Sequence, residues 1–209
     1  MGGKCQGKAA GGVDDPVVRK TEWTPAKKGG ANFKTRNLVR VNEQRLEFRA
    51  STQQVLVSLV FLLVGLGLFL GLPIYEWGLG GLDMGRKVLL LIPVGLLFFL
   101  VGAALLVSGM VPAVFDKGRN AFWRGKTGPG EAFERKGLKD YTEFHRIHAI
   151  QLVSEYCKGS KTSFYSYELN LVLDDGSRLN IVDHGDKDRL REDAKVLGAF
   201  LGKPMWDVI

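Results

Sequence analysis

Three histidines, two cysteines and one Gly-Lys-Thr triplet are the residues from which reaction chemistry would have to be assembled. His145 and His148 stand three positions apart. On one face of a helix that spacing suits a shared metal, but on a strand an odd spacing turns the two side chains to opposite faces. Zinc would also need further ligands, and Cys157 is the nearby thiol. Asp183-His184 places an acid beside an imidazole, yet neighbours on a strand diverge, so a nucleophile-activating dyad is not expected. Lys158 next to Cys157 would favour the thiolate. Gly125-Lys126-Thr127 matches the end of a phosphate-binding loop, but Asn120 occupies the place of its first glycine. The residues therefore predict no catalytic group, no metal and no cofactor.

Two other sets suit binding. Phe164, Tyr165 and Tyr167 follow Lys158 and Lys161, a mixture of rings and cations that fits a partner or a membrane surface. Gly67, Gly71, Gly95 and Gly102 lie inside long apolar runs, where a missing side chain lets two helices approach. Gly67 and Gly71 have the spacing of a G-x-x-x-G motif.

The elements that must position these residues divide sharply by polarity. A mean hydropathy of +0.01 hides two uncharged stretches, Val55 to Leu72 and Val88 to Ala113. Each is near the length a bilayer demands, about 17–25 apolar residues, and each must then be helical to satisfy its own backbone. Between them, residues 73–87 read as an external turn: Pro73 stops the first helix, and Tyr75 and Trp77 suit the headgroup layer. Pro93 falls in the first turns of the second helix. Arg36, Arg40, Arg45 and Arg49 precede the pair, and Lys117, Arg119, Arg124 and Lys126 follow it, against Arg86 and Lys87 in the turn. That bias predicts a multi-pass protein of the inner (cell) membrane with both termini in the cytoplasm.

Residues 1–36 read as a flexible basic arm with no signal peptide. Residues 1–54 hold eleven Lys/Arg against five Asp/Glu, most of the net +7 of the chain. So placed, the charge suits anionic lipid, and no nucleic-acid partner is expected. Residues 37–54 alternate polar and apolar around Asn42-Glu43-Gln44, the pattern of a β-hairpin, with a membrane-surface helix as the alternative.

Residues 114–209 change to a period of two. Val114-Phe115 and Ala121-Phe122-Trp123 flank a turn, Lys126 to Tyr141 reads as a loop, and His145 to Cys157 as a strand. Along Phe164 to Leu173, Tyr165, Tyr167, Leu169, Leu171 and Leu173 share the apolar face, and Ser166, Glu168 and Asn170 the solvated one. Asp174-Asp175-Gly176-Ser177 turns the chain into a partner strand, Arg178 to Val182. Residues 186–201 form an amphipathic helix that covers the apolar face through Leu190, Ala194, Leu197 and Leu201. The fold class is α+β: a two-helix transmembrane hairpin plus a small antiparallel, pleckstrin-homology (PH)-like β domain with a C-terminal amphipathic helix.

Two membrane helices, then VFDKGRNAFWRG, then strands, then LREDAKVLGAFLGKPMWD, resemble in layout the membrane-bound photosystem I assembly family of cyanobacteria and chloroplasts. The likeness extends over about Val55 to Trp206 and is nearer to bacterial two-helix membrane proteins with a PH-like cytoplasmic domain. It implies a scaffold, assembly or interaction role without catalysis, with the lipid bilayer and a membrane protein as partners and no small-molecule substrate. Sensing of anionic lipid headgroups is the alternative, and a membrane-bound enzyme the least favoured.

Overall fold

The structure is a computed structural model that describes residues 15–27, 29–79, 85–128, 139–159 and 162–209. In chain order its elements are α1 (Pro16–Lys20), β1 (Arg36–Asn42), β2 (Arg45–Ala50), α2 (Thr52–Leu66), α3 (Leu72–Leu79), α4 (Gly85–Gly109), β3 (Ala113–Asp116), β4 (Ala121–Arg124), β5 (Lys139–Glu143), β6 (Ile147–Lys158), β7 (Ser163–Leu173), β8 (Arg178–His184), α5 (Lys187–Leu201) and β9 (Met205–Asp207). They form two compact units: one ends at Arg49 and resumes at Pro112, and the other is Ala50–Val111.

The polar unit is built on two sheets, ordered β1-β2-β3-β4-β5 and β8-β7-β6-β9. Residues 37–54 do contribute a hairpin, and it joins the strands beyond the apolar run. β2 pairs antiparallel with β3, Phe48 opposite Ala113 and Leu46 opposite Phe115. The whole apolar unit is therefore an insertion between two hydrogen-bonded neighbours. Phe48, Phe115, Phe122, Ile150, Leu152, Leu169 and Leu171 fill the core and are fully buried. Helix α5 closes it with Leu190, Ala194, Leu197 and Phe200. Asp186 caps α5 by accepting the Arg189 amide at 3.1 Å, and Gly202 ends it at φ 66°, a left-handed position that glycine adopts without strain.

Several sequence expectations change here. The expected loop ends at Lys139, where β5 begins, and residues 129–138 lie outside the described residues. His145 sits in a 3₁₀ turn, Phe144–Arg146, ahead of β6. Strand β9 was not anticipated; it pairs parallel with β6 after the α5 crossover, and at 3 residues it is too short to announce itself in the sequence. The largest change concerns Ser166, Glu168 and Asn170, read as a solvated face: all three are fully buried. The arm from Asp15 onward packs over them, so it is not free chain there.

In the apolar unit, Ser51 caps α2 by accepting the Gln54 amide at 3.0 Å. Pro73 does not stop the helix. A π-helical turn, Gly67–Gly71, precedes it, and the Leu72 amide bonds five residues back to Gly67. The widened turn shifts the carbonyls that Pro73 would otherwise leave unpaired or strike, so α3 continues to Leu79. Helix α4 starts at Gly85, which puts Pro93 in its interior, and it ends at Gly109, so Ala113 belongs to β3. The remaining link, residues 80–84, lies outside the described residues. Thr52–Tyr75 and Leu91–Gly109, 24 and 19 residues, are long and apolar enough to cross a membrane. Only 11% of either window is buried, unlike the core helix of a soluble protein.

The two helices pack antiparallel. A Cβ on Gly95 would stand 2.5 Å from the Phe69 nitrogen, and one on Gly102 would stand 2.5 Å from the Leu62 nitrogen. Gly65 meets the Phe99 backbone in the same way, and Phe61 stacks on Phe98 at 5.5 Å. Gly67 and Gly71 take no part: nothing lies within 4 Å of a Cβ built on either.

Candidate functional site

The most constructed surface of the polar unit is the face of the second sheet beneath the arm. β6 and β7 place Glu155 opposite Ser166 and Val153 opposite Glu168, so the two glutamates lie diagonally on one face. The Glu168 carboxylate accepts the Ala26 amide at 2.8 Å on one oxygen and the Lys27 amide at 3.0 Å on the other. The Glu155 carboxylate repeats the arrangement with Gly29 and Gly30, both at 3.1 Å. Gly29 holds φ 82°, a left-handed conformation, and a Cβ on Gly30 would collide with Ser166. Gln151 Nε2 donates to the Glu22 carbonyl at 2.9 Å, and Arg178 to the Thr24 carbonyl at 2.6 Å. Trp23 packs on Trp206, ring centroids 5.6 Å apart, and Val17 joins Ala149, Val172 and Trp206 in a small apolar cluster. Asn170 donates to Glu168 at 3.1 Å, which completes the anchoring of that buried carboxylate.

The arm begins at an acid–imidazole contact. Asp15 Oδ2 lies 2.7 Å from His148 Nε2, and Asp174 lies 3.7 Å from Nδ1. The hydrogen bond with His148 holds the Asp15 carboxyl below its usual range. Both imidazole nitrogens thus face carboxylates, and neither is turned toward a hydroxyl or thiol that it would activate. His145 is separate and exposed, 3.3 Å from Glu143. His184 is fully buried and accepts the Asp186 amide on Nδ1 at 2.8 Å. Burial, and then the charge of Lys34, push its pKa down. Cys157 has its thiol pushed up, first by burial and then by Glu155, against the expectation that Lys158 would favour the thiolate. Arg36 is brought down to about 10 by burial and by the neighbouring Arg124, with Asp183 opposing. Among the described residues no three His, Cys, Asp or Glu side chains are grouped to hold a metal.

The predicted binding residues are divided by the fold. Tyr165 is 56% exposed and packs against Tyr156, 57% exposed, at 5.1 Å. Both stand where β6 and β7 run on past the last residue paired with β8, and Lys158 is exposed at the same end. Tyr167 is half-buried against the core, and Phe164 is half-buried on the opposite, arm-covered side. Lys161 lies outside the described residues. Sequence reasoning passed over Glu155, Glu168, Trp23 and Trp206. The one available signal was three alternating polar residues, which reads as water contact unless a covering segment is known. No family model, curated protein or solved structure matches the chain.

Proposed function

We propose that the chain is a membrane-anchored, non-catalytic interaction protein whose polar unit is a PH-like scaffold that binds another membrane protein at the cytoplasmic surface. The observation that carries the reading is the insertion of an apolar, outward-facing helical hairpin between the paired strands β2 and β3. Leu56, Leu63, Ile74 and Val107 are each more than 60% exposed, the pattern of side chains meant for lipid. A chain that leaves one strand and returns to its hydrogen-bonded neighbour must cross an even number of times. This favours a single side for both termini, and the arginines ahead of α2 favour the cytoplasm. Two antiparallel meanders closed by a C-terminal helix support the PH-like description. A scaffold role agrees with a domain in which His148 bonds the Asp15 carboxylate and His184 accepts a backbone amide.

Ultracentrifugation and mild-detergent co-purification test this. The protein is expected in the membrane pellet after carbonate washing, and a stoichiometric membrane partner should elute with it. Protein that stays in the detergent-free supernatant refutes the anchor, and a partner-free monomer in several mild detergents refutes the interaction role. A second reading, recognition of anionic lipid headgroups, draws on Lys117, Arg119 and Lys126, all exposed just beyond the second span. It requires the purified protein to prefer phosphatidylserine over phosphatidylcholine in nanodiscs.

A further inference from the structure

The contacts that fix the arm have an unusual direction. Glu168, Glu155, Gln151 and Arg178 all address the arm's main chain: four amides, at 26, 27, 29 and 30, and two carbonyls, at 22 and 24. The arm's side chains are read at fewer points: Trp23 on Trp206, Val17 below it, Asp15 at His148, and Glu22 at Arg178, 3.2 Å away. A surface that grips backbone accepts any extended segment of the right shape, and side-chain pockets then choose among them. The fit of the arm is also incomplete. The Ser166 hydroxyl and the Trp206 indole N–H are buried on this face, and neither has a hydrogen-bond partner among the described residues. Buried donors left unanswered are destabilising, so an occupant with acceptors at those points would hold the face better than the arm does.

We infer that this face is a peptide-binding groove, that the arm is its resident occupant, and that the partner's extended segment displaces the arm. The inference rests on the interaction reading above and names its site. The ligand is an unstructured segment of the partner protein with an aromatic residue to replace Trp23. It has unblocked amides three, four, six and seven positions later, which excludes proline there, and a residue without a side chain over Ser166. The arm competes from within the same molecule at a high effective concentration, so binding is weak until the arm is loosened.

A dye-labelled synthetic peptide with the sequence of residues 15–33, added to the full-length protein in nanodiscs, tests the groove. Hydrogen exchange reads the tethered arm's own amides 26–30. Trp23→Ala in the tethered arm should expose those amides and tighten binding of the added peptide by about tenfold, because stacking is lost only from the competitor. Glu155→Gln should weaken peptide binding in the Trp23→Ala background, where the loosened arm competes least; in the wild-type background the same contact is lost from the competing arm as well. Should Trp23→Ala fold poorly, the wild-type protein serves: excess peptide should speed exchange of the tethered amides in proportion to its occupancy. Amides that stay protected in Trp23→Ala, or that open without any gain in peptide binding, overturn the proposal, because the arm is then a fixed layer of the fold. If a membrane partner co-purifies equally with wild type and Trp23→Ala while the peptide fails to bind, the groove is refuted and the interaction role stands.

Discussion

Replacing Gly95 by alanine should separate the two apolar helices, whereas the same change at Gly67 should not. A methyl on Gly95 would stand 2.5 Å from the Phe69 nitrogen and 2.8 Å from Leu68 Cβ, where ordinary contact begins near 3.4 Å. The helices must then part locally by about 0.9 Å, the difference between 3.4 and 2.5 Å, because the opposing atom is backbone and cannot rotate away. Overpacking of this kind costs about 1–3 kcal/mol. Alanine returns about 0.5–1 kcal/mol of helix propensity, which leaves a net loss of about 0–2.5 kcal/mol, whose midpoint is roughly tenfold in the ratio of packed to parted helices. At Gly67 the methyl meets nothing within 4 Å, so only the propensity gain remains. The assay is disulfide formation between Gln54→Cys and Gly109→Cys in a background with Cys5 and Cys157 changed to serine. A Cβ on Gly109 would lie 3.5 Å from Gln54 Cγ, so a crosslink there reports a closed hairpin. Titration with SDS should show Gly95→Ala, and likewise Gly102→Ala, losing the crosslink at lower detergent than wild type, with Gly67→Ala unchanged or slightly stronger. Equal effects at Gly95 and Gly67 would refute the reasoning.

Three further outcomes concern the polar unit. Asp186→Ala removes the cap of α5 and should lower stability by about 1 kcal/mol, read from the urea midpoint of the purified protein. Asp207 is opposed by burial, but its hydrogen bonds from Arg191 prevail and hold its carboxyl below the usual carboxylate range. Its contribution is therefore present above that range and fades as pH falls through the lowered value. Arg191→Ala should cost about 1 kcal/mol or less at pH 7, given the partial exposure of the pair, and the two proteins should converge in acid. Asp193 behaves oppositely: burial pushes its carboxyl up, so ionisation opposes folding. Asp193→Asn should raise the melting temperature at neutral pH, and the gain should vanish as pH drops below the usual range of an aspartate carboxyl.

What the sequence disclosed follows from how local each signal is. The apolar helices, the β7–β8 turn and α5 with its Asp186 cap are written in contiguous residues, although the first apolar helix runs on to Leu79, past the Leu72 expected. The glycine seam was half legible. Composition marks glycines inside the helices, but which of them face the partner depends on helix phase, and the G-x-x-x-G spacing of Gly67 and Gly71 selected the side that meets nothing. The candidate groove was illegible because its two halves are more than a hundred positions apart. Glu168 meets Ala26 and Lys27 across that distance, and without the arm its alternation with leucine is that of any half-exposed strand. Polar alternation reports which residues share a face and is silent about whether water or another segment of chain lies over it.

The same long range constrains assembly. Phe48 cannot find Ala113 until both apolar helices have been made and folded back, so the first sheet completes only after the hairpin does. The arm lies further out still: it docks on β6 and β7, which are synthesised after the hairpin, and on Trp206, which follows both in the chain. The arm is thus made before every strand it docks on and is among the last segments to find its place. Unfolding should run the other way, and hydrogen exchange gives the order. Amides 26–30 should open at lower free energy than those of β6 and β7, and the β2–β3 ladder should open only with the sheet core. An arm whose amides exchange no faster than the β6–β7 ladder would be a fully integrated layer, and neither late docking nor displacement by a partner could then hold.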